Sequence, residues 1–272
     1  MKQAYTPHKV RHIENLREML QSSTALYGGN IAFSQNEGGT WRSYTFAQYL
    51  RDVNSLCLAL DDELQKTLGK PLAGQKIVVS GENCYQWVVT YMTAMTGAAT
   101  IVPLDKEMAA DDVQNILNMT APAAIIHSDT LTAKIDSMQT DAIRIPFSSL
   151  GEWLARGAAL LDGGQTAPLD ASIDEDAVAA IIFTSGTTGA SKGVMLSQRN
   201  LYSNVRNALM MVYEDQNDVL LSVLPLHHVY ECTIGFLCSL CSGAQVAFSA
   251  GLRYLMKEMK TVRPTADRKS VV

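Results

Sequence analysis

The sequence is short of basic charge, of long hydrophobic runs and of paired cysteines, and each shortage removes a class of function. Its 22 Lys and Arg are outnumbered by 27 Asp and Glu, for a formal net charge of −5. No run of Lys and Arg exceeds two residues. A chain that grips nucleic acid through its phosphates needs a basic stripe, so no nucleic-acid partner is expected. The opening Met1-Lys2-Gln3-Ala4-Tyr5-Thr6-Pro7 lacks the apolar stretch of a signal peptide. The most apolar segment, Val229 to Phe248, contains Glu231 and several Gly, Ser and Thr residues, so it is expected to be core and not a transmembrane span. Cys238 and Cys241 have C-x2-C spacing, but no second Cys/His pair follows to complete a zinc site. Both are expected to be small core residues on a helix. A reducing, cytoplasmic setting follows as the default.

What is present is globular. Of the 272 residues 47% are hydrophobic and 18% charged, enough to bury one large core or two smaller ones. Thr45-x-x-Gln48 has capping-box spacing, and Phe46, Leu50, Val53, Leu56, Leu60 and Leu64 follow at steps of three and four, which predicts the first helix. Beyond it, short apolar strands alternate with amphipathic helices. Strands are predicted at 76–80, 99–104, 123–126, 178–183, 219–223 and 245–248. Helices are predicted around Trp87 to Met95, around Val113 to Leu117, from Ser197 through Leu201, Val205 and Leu209, between the last two strands, and after the last. A looser stretch, Gly151 to Asp174, holds Gly163-Gly164 and Pro168 and is expected to be a connecting segment. The alternation predicts an α/β protein with stacked, mostly parallel sheets covered by helices.

The segment richest in chemistry is Ile181-Ile182-Phe183-Thr184-Ser185-Gly186-Thr187-Thr188-Gly189-Ala190-Ser191-Lys192-Gly193. A buried strand runs into glycines and small hydroxylated residues, then a lysine. Glycines let the backbone approach a ligand closely, and successive N–H groups in such a loop form a concavity for anions. The hydroxyls of Thr184, Ser185, Thr187 and Thr188 add donors, and Lys192 adds the compensating charge. This is the chemistry of a polyphosphate cradle. It is not a Walker loop, which has Gly before the lysine and Ser or Thr after it. A flexible linker is the plainer alternative, but linkers seldom follow an Ile-Ile-Phe strand directly. The adjacent His227 and His228 invite either a functional role or simple solvation at a strand end. His8, His12 and His127 have no such context and are expected at the surface.

Thr184 through Gly193 resembles the TSGTTG-x-x-KG signature of the adenylate-forming superfamily: acyl-CoA and aryl-CoA ligases, luciferases and peptide-synthetase adenylation domains. Thr96 to Asp105 resembles the family's G-A-x-x-x-P-L-D strand, and Ser43-Tyr44-Thr45-Phe46 its early helix entry. Leu224-Pro225-Leu226-His227-His228-Val229-Tyr230-Glu231 is similar to the L-P-L-x-H-V-x-E segment of long-chain acyl-CoA synthetases, where peptide-synthetase domains carry an aspartate-containing motif. Phe248 to Tyr254 and Val262 to Thr265 are similar to the same branch.

The resemblance spans roughly Leu26 to Thr265 and carries several implications. The fold is the N-terminal part of the adenylate-forming enzyme, with 1–25 an extension, 26–265 an incomplete AMP-binding domain and 266–272 a non-native tail. The tail is singled out because Asp267–Val272 resembles a translated sequencing adapter where a relative continues into a strand. The activity is ATP-dependent conversion of a fatty acid to its acyl-adenylate and then to a CoA thioester. ATP, Mg2+ and CoA take part. Thr184, Ser185, Gly186, Thr187, Thr188, Gly189 and Lys192 hold the β- and γ-phosphates, and His228 lies between the nucleotide and acyl pockets. Lys192 and His228 are the expected catalytic residues. The chain alone is expected to be inactive, and peripheral contact with the inner face of a membrane is compatible with the substrate. Activation of aryl or amino acids, or binding of a nucleotide or acyl group without catalysis, remain alternatives.

Overall fold

The computed structural model describes residues 7–184 and 192–265. In chain order these residues form α1 (Leu16–Tyr27), β1 (Ile31–Glu37), β2 (Thr40–Thr45), α2 (Phe46–Leu68), β3 (Lys76–Ser80), α3 (Tyr85–Thr96), β4 (Thr100–Leu104), α4 (Ala110–Thr120) and β5 (Ala124–His127). Next come α5 (Thr132–Asp136), β6 (Ile143–Pro146), α6 (Leu150–Asp162), β7 (Val178–Thr184), β8 (Lys192–Ser197), α7 (Gln198–Met211) and β9 (Val219–Ser222). A π-helical segment, Glu231–Leu237, then runs into α8 (Cys238–Ser242), followed by β10 (Gln245–Phe248) and α9 (Leu255–Val262). The chain divides into two compact units: Ala47–Gln198, and Met1–Phe46 together with Arg199–Val272.

The continuous unit is built on a six-stranded sheet in the order β6-β5-β3-β4-β7-β8. It is parallel except where β8 returns antiparallel to β7. Val78, Val102 and Ile125 project from the central strands into a core with Val113, Ile116 and Leu117 of α4 and Ile135 of α5. Every residue of α3 except Gln86 is buried, its threonines included, as in a helix enclosed on all sides.

The expected connecting segment at 151–174 is corrected in its first half, which is the helix α6. Its glycine content hides the helix from a propensity reading, yet one glycine is there because of the helix packing. A Cβ on Gly157 would lie 1.7 Å from the carbonyl oxygen of Ser55 on α2, so only Gly allows the two helices to meet so closely. Arg156 completes the contact, donating to Ala59 O at 2.6 Å and to Glu63 Oε2 at 2.8 Å. His127 is the second correction. It is not at the surface but 1% exposed, closing β5. Its Nδ1 lies 2.9 Å from the Ser128 carbonyl, which can only accept, so Nδ1 carries the proton.

The discontinuous unit holds a four-stranded sheet in the order β2-β1-β10-β9. β1 runs parallel to β10 (Phe33↔Val246) and antiparallel to β2, while β10 runs parallel to β9. α1 buries Leu16, Met19 and Leu20, and Ser23 donates to Leu240 O at 2.7 Å. Ala25, the last residue of the expected N-terminal extension, lies within α1. Cys238 and Cys241 are buried on α8, as the sequence suggested. Among the described residues no helix is long and apolar enough to cross a membrane. The 266–272 tail lies outside the described residues.

Candidate functional site

In an open α/β sheet, ligands bind beyond the carboxyl ends of the strands where the strand order reverses. Here β3 steps to β4 in one direction and β5 to β6 in the other, so the reversal lies between β3 and β5. Glu82, just beyond β3, accepts from the hydroxyl of Thr130, past β5, at 3.4 Å and lies 3.6 Å from Lys106, just beyond β4. Burial opposes ionisation of Glu82, but hydrogen bonds from Ser128 and from its own backbone, with the Lys106 charge, prevail and hold its carboxyl below the usual range. Lys134 donates to the carbonyls of Lys106 and Met108, both at 2.9 Å, and so pins the turn after β4. Sequence reasoning missed this cluster, because its members are scattered over 82–134 and only the strand order gathers them.

β7 ends at the same edge, beside β4. Its last residue, Thr184, pairs antiparallel with Lys192, the first of β8, so the described residues on either side of the glycine-rich sequence are neighbours across a strand pair. The pairing was not foreseen, because a strand beginning at the lysine was not among the expected elements. Thr184 and Lys192 are both exposed. The other cradle residues, Ser185, Gly186, Thr187, Thr188 and Gly189, lie outside the described residues. Gly193 has a local reason to be glycine. A Cβ there would come within 2.9 Å of Ile181 and 3.2 Å of the Phe183 ring across the ladder. Gly beside Lys192 lets the two strands pair without displacing those side chains.

The histidine segment belongs to the other unit and occupies the turn between β9 and the π-helical segment. His228 N–H donates to Pro225 O at 3.1 Å, and His228 C=O accepts from Cys232 N–H at 3.0 Å. Its side chain is exposed, whereas His227 is half-buried, and the two rings lie 4.2 Å apart between centroids. Nearby are two carboxylates that the sequence reading gave no role. Glu231 and Glu258 are each 2% exposed. Ser222, at the end of β9, donates to Glu231 Oε1 at 2.6 Å. Ser249, just past β10, donates to Glu258 Oε2 at 2.6 Å, and Ala250 N–H donates to Glu258 Oε1 at 3.2 Å. Glu258 could have been found: with Leu255 and Val262 it shares the three- and four-residue spacing of the inward face of α9.

The family model described as "AMP-binding enzyme" matches residues 20–266. A protein named CoA ligase from Gibberella moniliformis (strain M3125 / FGSC 7600) is 30% identical over 226 residues, 81% of this chain and 36% of its own length. Long-chain-fatty-acid–CoA ligase 6 from Mus musculus is 28% identical over 217 residues, 70% of this chain and 31% of its own. Among solved structures, the complex of VinN with 3-methylaspartate superposes with a TM-score of 0.79 at 19% identity, covering 94% of this chain and 66% of that one. The chain spans about a third of the length of the curated relatives it matches.

Proposed function

Because the chain belongs to the AMP-binding enzyme family over residues 20–266, we propose that it forms the N-terminal part of an ATP-dependent ligase that converts a long-chain fatty acid to its CoA thioester. The observation that carries the proposal is the pairing Thr184↔Lys192 at the carboxyl end of β7, which flanks the hydroxyl- and glycine-rich sequence 185–191. A fatty-acid carboxylate oxygen attacks the α-phosphorus of ATP, and pyrophosphate leaves. The CoA thiol then attacks the acyl carbon of the mixed anhydride, giving up its proton, and AMP leaves.

The main barrier is charge crowding around the phosphates, so fixed donors and positive charge are what the protein must supply. Lys192, Thr184 and the loop Ser185, Gly186, Thr187, Thr188 and Gly189 take the β- and γ-phosphate oxygens. His228 takes the junction of acyl group and adenylate. Mg2+ would supply neutralising charge on the phosphate oxygens. Among the described residues no group of three His, Cys, Asp or Glu could hold a metal. The five free cysteines suit a reducing, cytoplasmic setting.

The long-chain assignment rests on Leu224 to Glu231 and on relatives named for that activity. The test is acid-dependent ATP–pyrophosphate exchange and thioester formation by the full-length enzyme. Long-chain fatty acids should support both. Strong exchange with amino acids or benzoates and none with fatty acids would replace the substrate class, and no exchange with any acid would leave a binding protein.

A further inference from the structure

Three unusual features meet in the turn that follows β9. A carboxylate is buried at its far end, although burying an ionisable group costs free energy unless the fold returns hydrogen bonds. The helix that starts there at Val229 passes after two residues into seven in π geometry, Glu231–Leu237, a form frequent at functional sites and rare elsewhere. The peptide of His228 is held on both sides, through Pro225 O and Cys232 N–H. Glu231 links them. It opens the π segment, it lies three residues beyond His228, and it takes the hydroxyl of Ser222, the last residue of β9. The neighbouring strand repeats the device with Ser249 and Glu258, and Ser249 N–H donates to Ser222 O at 3.0 Å. The two loop roots are thereby joined.

We propose that Glu231 is a positioning residue for His228: its bond to Ser222 ties the start of the π segment to the end of β9, and so fixes the turn that presents the imidazole. The inference rests on the proposed function only in taking His228 as part of the working site. Glu231 itself touches no substrate. What it supplies is a fixed origin for a six-residue turn, Val223 to His228, that leaves the sheet and must return to it. A glutamine retains a side-chain oxygen that can accept from Ser222, whereas alanine retains nothing, so shape and not charge is the quantity under test.

The experiment is a double-mutant cycle on acyl-CoA formation by the full-length enzyme, with kcat and KM read separately. Glu231→Ala should lower kcat on the order of tenfold, as loss of one buried hydrogen bond to a charged group would, with little change in the KM for ATP. Glu231→Gln should restore most of that loss. In a His228→Ala background, Glu231→Ala should cost less than about twofold further, because residues acting through one another are not additive. If Glu231→Ala does not fold, Ser222→Ala removes the same bond from the other side and enters the same cycle. An equal loss from Glu231→Ala in both backgrounds, or Glu231→Gln as poor as alanine, overturns the positioning role. A His228→Ala enzyme with full activity instead overturns the role of His228, and is thereby distinguished from failure of the inference about Glu231.

Discussion

At the end of β7 the chain pairs with an antiparallel strand exposed from Lys192 to Met195, whereas at the ends of β9 and β10 it folds two carboxylates inward against serines. Both are carboxyl edges of parallel strands. The first presents Lys192 and Thr184 to solvent at the end of a paired strand. The second spends its polar groups on its own backbone and hydroxyls and leaves an imidazole outside. The difference separates a place where a ligand is met from a place where geometry is held, and it predicts opposite costs for removing charge.

The largest effect is expected at the exposed edge. Lys192→Ala should slow adenylation on the order of 100- to 1,000-fold, the usual result of deleting one well-placed electrostatic donor, while the melting temperature stays the same. An unchanged rate would make Lys192 a solvated surface charge and erase the contrast. At the buried edge the sign reverses. Glu258→Ala leaves Ser249 and the Ala250 N–H without their acceptor and should cost about 2–3 kcal/mol in urea unfolding. A change within experimental error would show that this frame is not structural.

Between these lies the histidine pair. His228→Ala should reduce turnover at least about tenfold more than His227→Ala, because only His228 projects from the turn. Equal effects would move the functional histidine or remove it. The smallest effect sharpens the first edge. Cys84, at the N-terminus of α3, is half-buried where Lys192 is exposed, and burial pushes its thiol up to about 12. The thiolate is the reactive form, so alkylation of Cys84, followed by mass spectrometry, should still be rising about tenfold per pH unit between pH 8 and pH 10. A plateau near pH 9 would mean an ordinary, accessible thiol.

How far the sequence carried the fold depends on what each signal encodes. Lys76–Ser80 and Gln245–Phe248 are placed at their observed bounds, because a run of β-branched and apolar residues between turn-formers has few other outcomes. α6 failed because propensity counts Gly157 against a helix, while the fold needs that glycine against Ser55. β8 was missed because its first four residues are exposed and alternation has nothing to report on such a strand. His127 was misplaced because polarity was weighed without β5, whose four residues are all buried. The site followed the same rule. Loop and histidine turn are continuous motifs and legible as such, whereas Glu82 with Lys106, and Ser249 with Glu258, join residues that only the folded chain brings together.

The pairing of β1 with β10 bears on how the protein is made. β1 and β2 leave the ribosome early, yet the edge of β1 opposite β2 is filled by a strand about 200 residues later. At roughly 5–20 residues per second, that strand arrives on the order of 10–40 s after the hairpin. The unit Ala47–Gln198 is contiguous and can close its own sheet in the interval, while Phe33 and its neighbours wait with unpaired backbone. An open, apolar strand edge of that duration is what holdase chaperones recognise and what self-association exploits. Expression at lower temperature or with slower initiation, which thins the population of waiting chains, should raise the yield of folded protein.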